Sequence, residues 1–225
     1  MKKFFVNVFC AFVPSKKMRG KIRKKFLPQK QNIYAYVDAI KWDLRNMQFH
    51  DIAKLIATAE LHKSTFAGYR NKFAGKNIVL VGAGPSLKKF KPIKDAIYVG
   101  LNRAFLYDGV KFDFLFSIDK AGIDQIYDQF IEYQAVKFLG DQNLGPMYQI
   151  PESVINKIKD VKRYKTDAGF SSQFATDIEY MPLGNFNTVS LQAMQFILYT
   201  NPAKIYLVGI DCSNAGHFTD NTKNH

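Results

Sequence analysis

Short apolar runs alternate with polar, turn-rich stretches along this chain, and their order predicts the fold. Ile78-Val-Leu-Val81 is a run of strand length that stops at Gly82-Ala83-Gly84. Pro85 follows, and proline fits the first turn of a helix because its missing N–H costs nothing there. Lys76 to Lys89 is therefore read as strand, glycine turn and helix start. Asp95 to Arg103 reads as a second strand ending at Asn102-Arg103, and Phe112 to Asp119 as a third ending at Ser117 and Asp119. Ala135 to Leu139 is a short fourth, and Lys204 to Asp211 is the last. Thr188 to Leu198 has helical spacing, with Val189, Leu191, Met194, Ile197 and Leu198 on its buried side and Asn201-Pro202 closing it. Strands alternating with helices predict an α/β, Rossmann-like fold: a mostly parallel sheet with flanking helices.

Upstream of the first strand the period becomes helical. Ile33, Tyr36, Val37, Ile40 and Leu44 recur at threes and fours, as do Ile52, Leu55, Ile56 and Ala59. Two helices broken near Phe49-His50-Asp51 are expected, with His50 and His62 in surface or capping roles. Gly140 to Pro146 and Tyr164 to Asn187 read as loops, suited to lids or acceptor sites. The expected organisation is a basic aromatic segment over 1–30, a helical lead-in over 31–75 and a nucleotide-binding domain over 76–225. The chain stops at His225 without a closing element and is read as either naturally short or a fragment.

Composition adds one large asymmetry. At 225 residues and 47% hydrophobic the chain is globular, with material for one good core. The formal charge is +13, but residues 1–30 hold ten Lys/Arg and no acid. The other 22 basic residues face 19 acidic ones, so the body is only mildly basic. A nucleic-acid binder would carry its charge on the folded domain, and that class is set aside. Met1 to Val13 is apolar and aromatic, too short for the roughly 20 residues of a membrane span, and followed by no small-x-small cleavage pattern. Two readings stand for residues 1–30: an interfacial anchor to an anionic leaflet, or a helix docked on the domain with a solvated basic face. Cys10 and Cys212 are far apart in dissimilar contexts, which fits a reducing compartment. The expected location is cytoplasmic, or peripheral on the inner membrane.

In open parallel sheets, ligands bind beyond the C-terminal strand ends at a switch in strand order. Gly82 to Ser86, Asn102, Ser117, Asp119 and Asp211 all fall at such ends. The glycine turn, with backbone open to close approach and a helix start beyond it, suits a phosphate. It is neither standard nucleotide motif: Leu87 replaces the third glycine of a dinucleotide fingerprint, and no Gly-Lys-Ser/Thr follows.

Gly82-Ala-Gly-Pro-Ser-Leu87, Asn102, Ser117-Ile-Asp119, Asn187-Thr-Val-Ser190 and Ile205-Tyr-Leu-Val-Gly-Ile-Asp211 together resemble two related groups. One is the bacterial sialyltransferases of glycosyltransferase family 42. The other contains the MptE-like 6-hydroxymethylpterin diphosphokinases and the Maf flagellin glycosyltransferases. The likeness runs over about Lys76 to Asp211. It implies a nucleotide-sugar-dependent glycosyltransferase of surface glycan synthesis, with a lipooligosaccharide or capsule acceptor and a CMP-sugar favoured as donor. Carried over, its nucleotide contacts would fall on Gly82, Ala83, Gly84, Pro85, Ser86, Asn102, on or near Asp119, and on Thr188 or Ser190; the strand-end rule adds Ser117 and Asp211 as candidate nucleotide contacts. Two departures matter: Ala83 replaces a loop asparagine, and Asp119 stands where the sialyltransferases have asparagine. The second suits a ribose hydroxyl or Mg²⁺, and so the alternative of an ATP- and Mg²⁺-dependent diphosphokinase with Asp119 and Asp211 at the metal. A catalytically inactive nucleotide-binding component is the third reading. The catalytic histidine of the sialyltransferases lies well after the last strand, on a segment without an evident counterpart here; His217 and His225 are the only histidines past Asp211, and His217 is read either as the general base or as a solvated loop residue.

Overall fold

The structure is a computed structural model that describes residues 15–19, 21, 49–141, 148–167, 173–212 and 216–220. Most of the expected N-terminal anchor and the first helix of the lead-in lie outside the described residues; residues 16–19 form a helical turn. Residues from Ile52 onward form one compact unit.

Six strands make one all-parallel sheet: β1 (Asn77–Val81), β2 (Ile97–Leu101), β3 (Phe114–Ser117), β4 (Val136–Asp141), β5 (Val161–Lys165) and β6 (Lys204–Val208). Their order is β5-β4-β3-β2-β1-β6. The chain steps outward from β1 to β5, then returns to place β6 on the other side of β1. β1 and β6 pair in parallel from Asn77 with Lys204 to Val81 with Val208. The switch in strand order therefore lies between them, where connections leave in opposite directions. This is the Rossmann-like architecture that the alternation of runs predicts.

Alternation along the strands divides the core between two faces. Ile78 and Leu80 of β1, Val99 and Leu101 of β2 and Phe116 of β3 join a cluster with Phe66, Phe138, Phe196 and Ile197. Two helices supply that side: α1 (Phe49–Phe66), whose last residue enters the core, and α4 (Val189–Tyr199). Rings close its centre, Phe138 standing 4.6 Å from Phe116 and 4.8 Å from Phe196. The opposite face packs Val79, Val81 and Leu115 against Leu87, Phe105, Phe130 and Ile155. There the covering elements are short: α2 (Tyr127–Glu132), α3 (Glu152–Ile155) and 3-10 turns at Pro85–Lys89 and Asn102–Leu106.

Several expectations are corrected. β5 is not among the expected strands, and its last two residues, Tyr164 and Lys165, fall in the stretch read as loop: only Tyr164 of its five residues is buried, as befits an edge strand paired on one side. The element after the glycine turn is a five-residue 3-10 turn, not an α-helix, although Pro85 does open it. On α4 Val189 and Ile197 are buried as expected, but Gln192, Ala193, Gln195 and Phe196 share that side with them, whereas Leu198 is exposed. Gln195 is buried with both ends of its amide hydrogen-bonded, whereas Gln192 is bonded through Oε1 alone and its Nε2 has no partner among the described residues. Tyr164 Oη donates to Gln192 Oε1 at 2.8 Å, and Gln195 accepts the N–H groups of Ala175 and Gly184 while donating to the Gly184 carbonyl. His62 is fully buried rather than at the surface. Lys165 N–H donates to its Nε2 at 2.8 Å, which leaves Nδ1–H to donate to the Ile178 carbonyl at 2.9 Å. Burial holds this imidazole below its ordinary pKa.

Candidate functional site

A cleft of about 570 Å³ opens at the C-terminal tips of the strands, at the switch between β1 and β6. Its walls come from five places in the sequence: Gly82 to Pro85 after β1, Leu101 to Arg103 at the end of β2, Asp119, Ala121 and Gly122 after β3, Thr188 to Ser190 opening α4, and Gly209 to Cys212 with Gly216 and His217 after β6. Separate strands and one helix thus deliver polar groups to one concavity, as the strand-end rule predicts.

The glycine turn is built differently from its sequence reading. A Cβ on Gly82 would run into the Gly209 carbonyl oxygen, and one on Gly209 into that of Gly82. A Cβ on Gly84 would meet the Asp211 carboxylate and lie 2.8 Å from the Gly209 oxygen. The missing side chains admit the β6 loop, not an incoming ligand. Two backbone bonds stitch the loops together, Gly82 N–H to the Val208 carbonyl and Gly84 N–H to that of Gly209, both at 2.8 Å. Gly209 itself has φ +64°, a conformation that favours glycine.

Asp211 completes this seam. Its Oδ2 accepts the Ser86 N–H at 3.0 Å, at the start of the 3-10 turn. Bonds from the Ser86 hydroxyl and N–H hold the Asp211 carboxyl below its ordinary pKa. The carboxylate therefore stands where the sequence reading placed an incoming phosphate. Gly82, Gly84 and Ser86 all donate inward, and Ala83 alone of the loop's N–H groups has no acceptor among the described residues.

On the other wall, Asn102 adopts φ +50°, a left-handed conformation that asparagine tolerates better than most residues. Ser117 Oγ donates to Asn102 Oδ1 at 3.0 Å, which leaves the Nδ2 hydrogens as the outward donors. Gly122 packs against the same amide so closely that a Cβ there would sit 2.5 Å from it. Asp119 caps the next turn, Oδ1 accepting the Gly122 N–H at 3.0 Å, and keeps its second oxygen for other work. At the far side Thr188 caps α4, and its hydroxyl lies 2.7 Å from that of Ser190.

The last wall is a strap across the glycine turn. Phe218 N–H donates to the Ala83 carbonyl at 2.8 Å, and the Phe218 ring packs edge-on against Tyr107 with centroids 6.2 Å apart. His217 N–H donates to Asp220 Oδ2 at 2.6 Å. These anchors bring His217 to the rim of the cleft, with its ring exposed.

Of the sequence-predicted residues, Gly82, Ala83, Gly84, Pro85, Asn102, Asp119, Thr188, Ser190, Asp211 and His217 all line the cleft. Two do not. Ser117 is fully buried behind Asn102, so it orients that amide and cannot touch a ligand. Ser86 is exposed outside the lining, and its N–H and hydroxyl serve Asp211. Arg103, Gly122 and Gly209 line the cleft and were missed as site residues. A basic residue directly after a strand-end asparagine was the available signal for the first.

Among the described residues no group of three or more His, Cys, Asp or Glu side chains is arranged to hold a metal ion. No described helix is long and apolar enough to cross a membrane. The fold is an α/β protein of Rossmann-like class with an open cleft at its C-terminal strand ends. No protein-family model matches the sequence, and a comparison with curated proteins finds no match.

Proposed function

We propose that this chain is a nucleotide-sugar-dependent glycosyltransferase of the sialyltransferase-like kind, acting in bacterial surface glycan synthesis on a glycan acceptor. The observation that carries the reading is the meeting, in one cleft at the β1/β6 switch, of Asn102, Asp119, Thr188, Ser190 and His217 around the glycine turn. Such a place takes nucleotides in parallel α/β sheets. The Asn102 amide donors and the free Asp119 oxygen serve the nucleoside, and the Thr188 and Ser190 hydroxyls serve phosphate oxygens. His217 takes the proton of the acceptor hydroxyl, whose oxygen bonds the anomeric carbon of the donor sugar. The bond from that carbon to the phosphate oxygen breaks, and the nucleotide leaves with the electron pair. Positioning of the two substrates, with donors aimed at the charge developing on the leaving phosphate, carries most of the catalysis.

The two carboxylates favour a second reading, an MptE-like diphosphokinase using ATP. Asp119 and Asp211 both line the cleft, and Mg²⁺ in phosphotransferases is held by one or two carboxylates together with substrate phosphates. Each has one oxygen committed to a backbone N–H, leaving one apiece for a metal.

Thermal unfolding with CMP, UDP, GDP and ATP, each with and without Mg²⁺, separates the readings, because a ligand of the native state stabilises it by mass action. The glycosyltransferase reading expects stabilisation by CMP without metal. Stabilisation by ATP only with Mg²⁺ transfers the assignment to the diphosphokinase, and no response to any nucleotide contradicts both.

A further inference from the structure

The seam between the β1 and β6 loops leaves the cleft short of positive charge. Where a glycine turn holds a phosphate through its backbone, several N–H groups point at the anion. Here Gly82, Gly84 and Ser86 spend theirs on Val208, Gly209 and Asp211. Two carboxylates, Asp119 and Asp211, also face the cleft. A phosphate entering this space meets one spare loop N–H, a few hydroxyls and two negative groups, and needs a cation.

Among the described residues, Arg103 is the one Lys or Arg that lines the cleft. It is half-buried and follows Asn102, whose left-handed backbone and clamped amide fix the turn that carries it. No carboxylate lies within ion-pair distance of it among the described residues, although Arg70, Arg163 and Lys165 all have acidic partners. The two nearby acids are tied instead to the N–H groups of Ser86 and Gly122. The described residues thus place a guanidinium beside the cleft with no carboxylate of their own in ion-pair contact with it. A planar guanidinium presents paired N–H donors that match the oxygens of a phosphate.

We infer that Arg103 binds the nucleotide phosphate in this cleft, supplying from a side chain the positive charge that the glycine turn spends on its own β6 loop. The inference rests on the nucleotide-binding reading and names a contact that the reading by itself does not supply. Phosphate charge increases as the donor's glycosyl bond breaks, so the same guanidinium also stabilises the departing nucleotide.

Isothermal titration of the full chain tests this with CMP, UDP, GDP and ADP, the matching nucleosides and inorganic pyrophosphate as probes. Arg103→Gln should weaken the nucleotide that wild type prefers by roughly 10- to 100-fold, the scale of a lost charge-assisted bond, and should abolish the pyrophosphate response. Affinity for the matching nucleoside should stay within about twofold, the result expected of a contact made to phosphate alone. Arg103→Lys should recover part of the loss, keeping charge without the fork. Unliganded melting of each variant checks the fold. Nucleotide affinity unchanged in a folded Arg103→Gln overturns the phosphate contact and leaves the nucleotide reading standing. Equal losses for nucleoside and nucleotide overturn it as well, since the residue would then shape the pocket. A wild-type chain that binds no nucleotide overturns both.

Discussion

Two clefts of similar size lie at opposite ends of this sheet, about 570 Å³ at the C-terminal strand tips and about 620 Å³ at the N-terminal ends of β3, β4 and β5. They are made of different things. The first is made of turns that fit each other without side chains, two carboxylates tied to backbone N–H groups, and an arginine with no ion-pair partner among the described residues. The second is lined by Lys111, Lys137, Lys157 and Lys159 facing Asp113, Glu132 and Asp160. Its most buried lysine holds the fold together. Lys137 Nζ donates to the carbonyls of Tyr133 and Ala135, just past the C-terminus of α2, and lies 5.8 Å from the Phe130 ring centroid. A cation there satisfies carbonyls of the turn that joins α2 to β4, and burial lowers the pKa of this amine. Volume does not separate the two clefts; the end of the sheet at which each lies, and what its polar groups are already bound to, do.

The sharpest way to break the contrast is through chemistry. His217→Ala should lower transfer by about 10²-fold or more if the imidazole takes the acceptor proton, whereas Lys137→Met at the other end should leave turnover per folded molecule unchanged. Steady-state assays of both variants with one donor and acceptor make the comparison. Equal losses would remove the distinction between the two clefts.

Next in size is the seam. Gly209→Ala puts a Cβ against the Gly82 carbonyl oxygen at a residue with φ +64°. It should cost about 1–3 kcal/mol by overpacking and backbone strain, read by chemical denaturation, and should also erase nucleotide stabilisation. Lys137→Met should cost about 1 kcal/mol, for a carbonyl left without its donor, and keep the nucleotide response in full. A Gly209→Ala chain that melts lower yet binds nucleotide as before would separate the seam from the site.

The smallest effect belongs to neither cleft. His62 has a folded pKa held below its ordinary 6.5 by burial. The unfolded chain therefore binds the extra proton first, so stability should be level above about pH 6.5 and decline as pH falls towards the folded value. His62→Gln should flatten that part of the profile. An unchanged acid limb would place the titrating group elsewhere.

Most strands were legible because their apolar runs are local. Ile78 to Val81 and Phe114 to Phe116 announce themselves without reference to the rest of the chain. β5 was not, because Val161-Lys-Arg-Tyr-Lys165 is charged in the manner of an edge strand and buries one side chain. Gln192 and Gln195 look like solvent-facing positions until Tyr164 and Gly184 supply their partners. The glycines were visible but their reason was not: Gly82 is small because of Gly209, which no local pattern reveals. Ser117 followed the strand-end rule and still lies out of reach, since its hydroxyl turns to Asn102.

Amide hydrogen exchange, with and without a saturating nucleotide, tests the central claim most directly. Slowed exchange is predicted at Ala83, Asn102, Arg103 and Thr188 to Ser190, with no change at Lys111 to Asp113 or Ala135 to Lys137. Protection confined to the latter stretches, or absent from the glycine turn while nucleotide is bound, would contradict it.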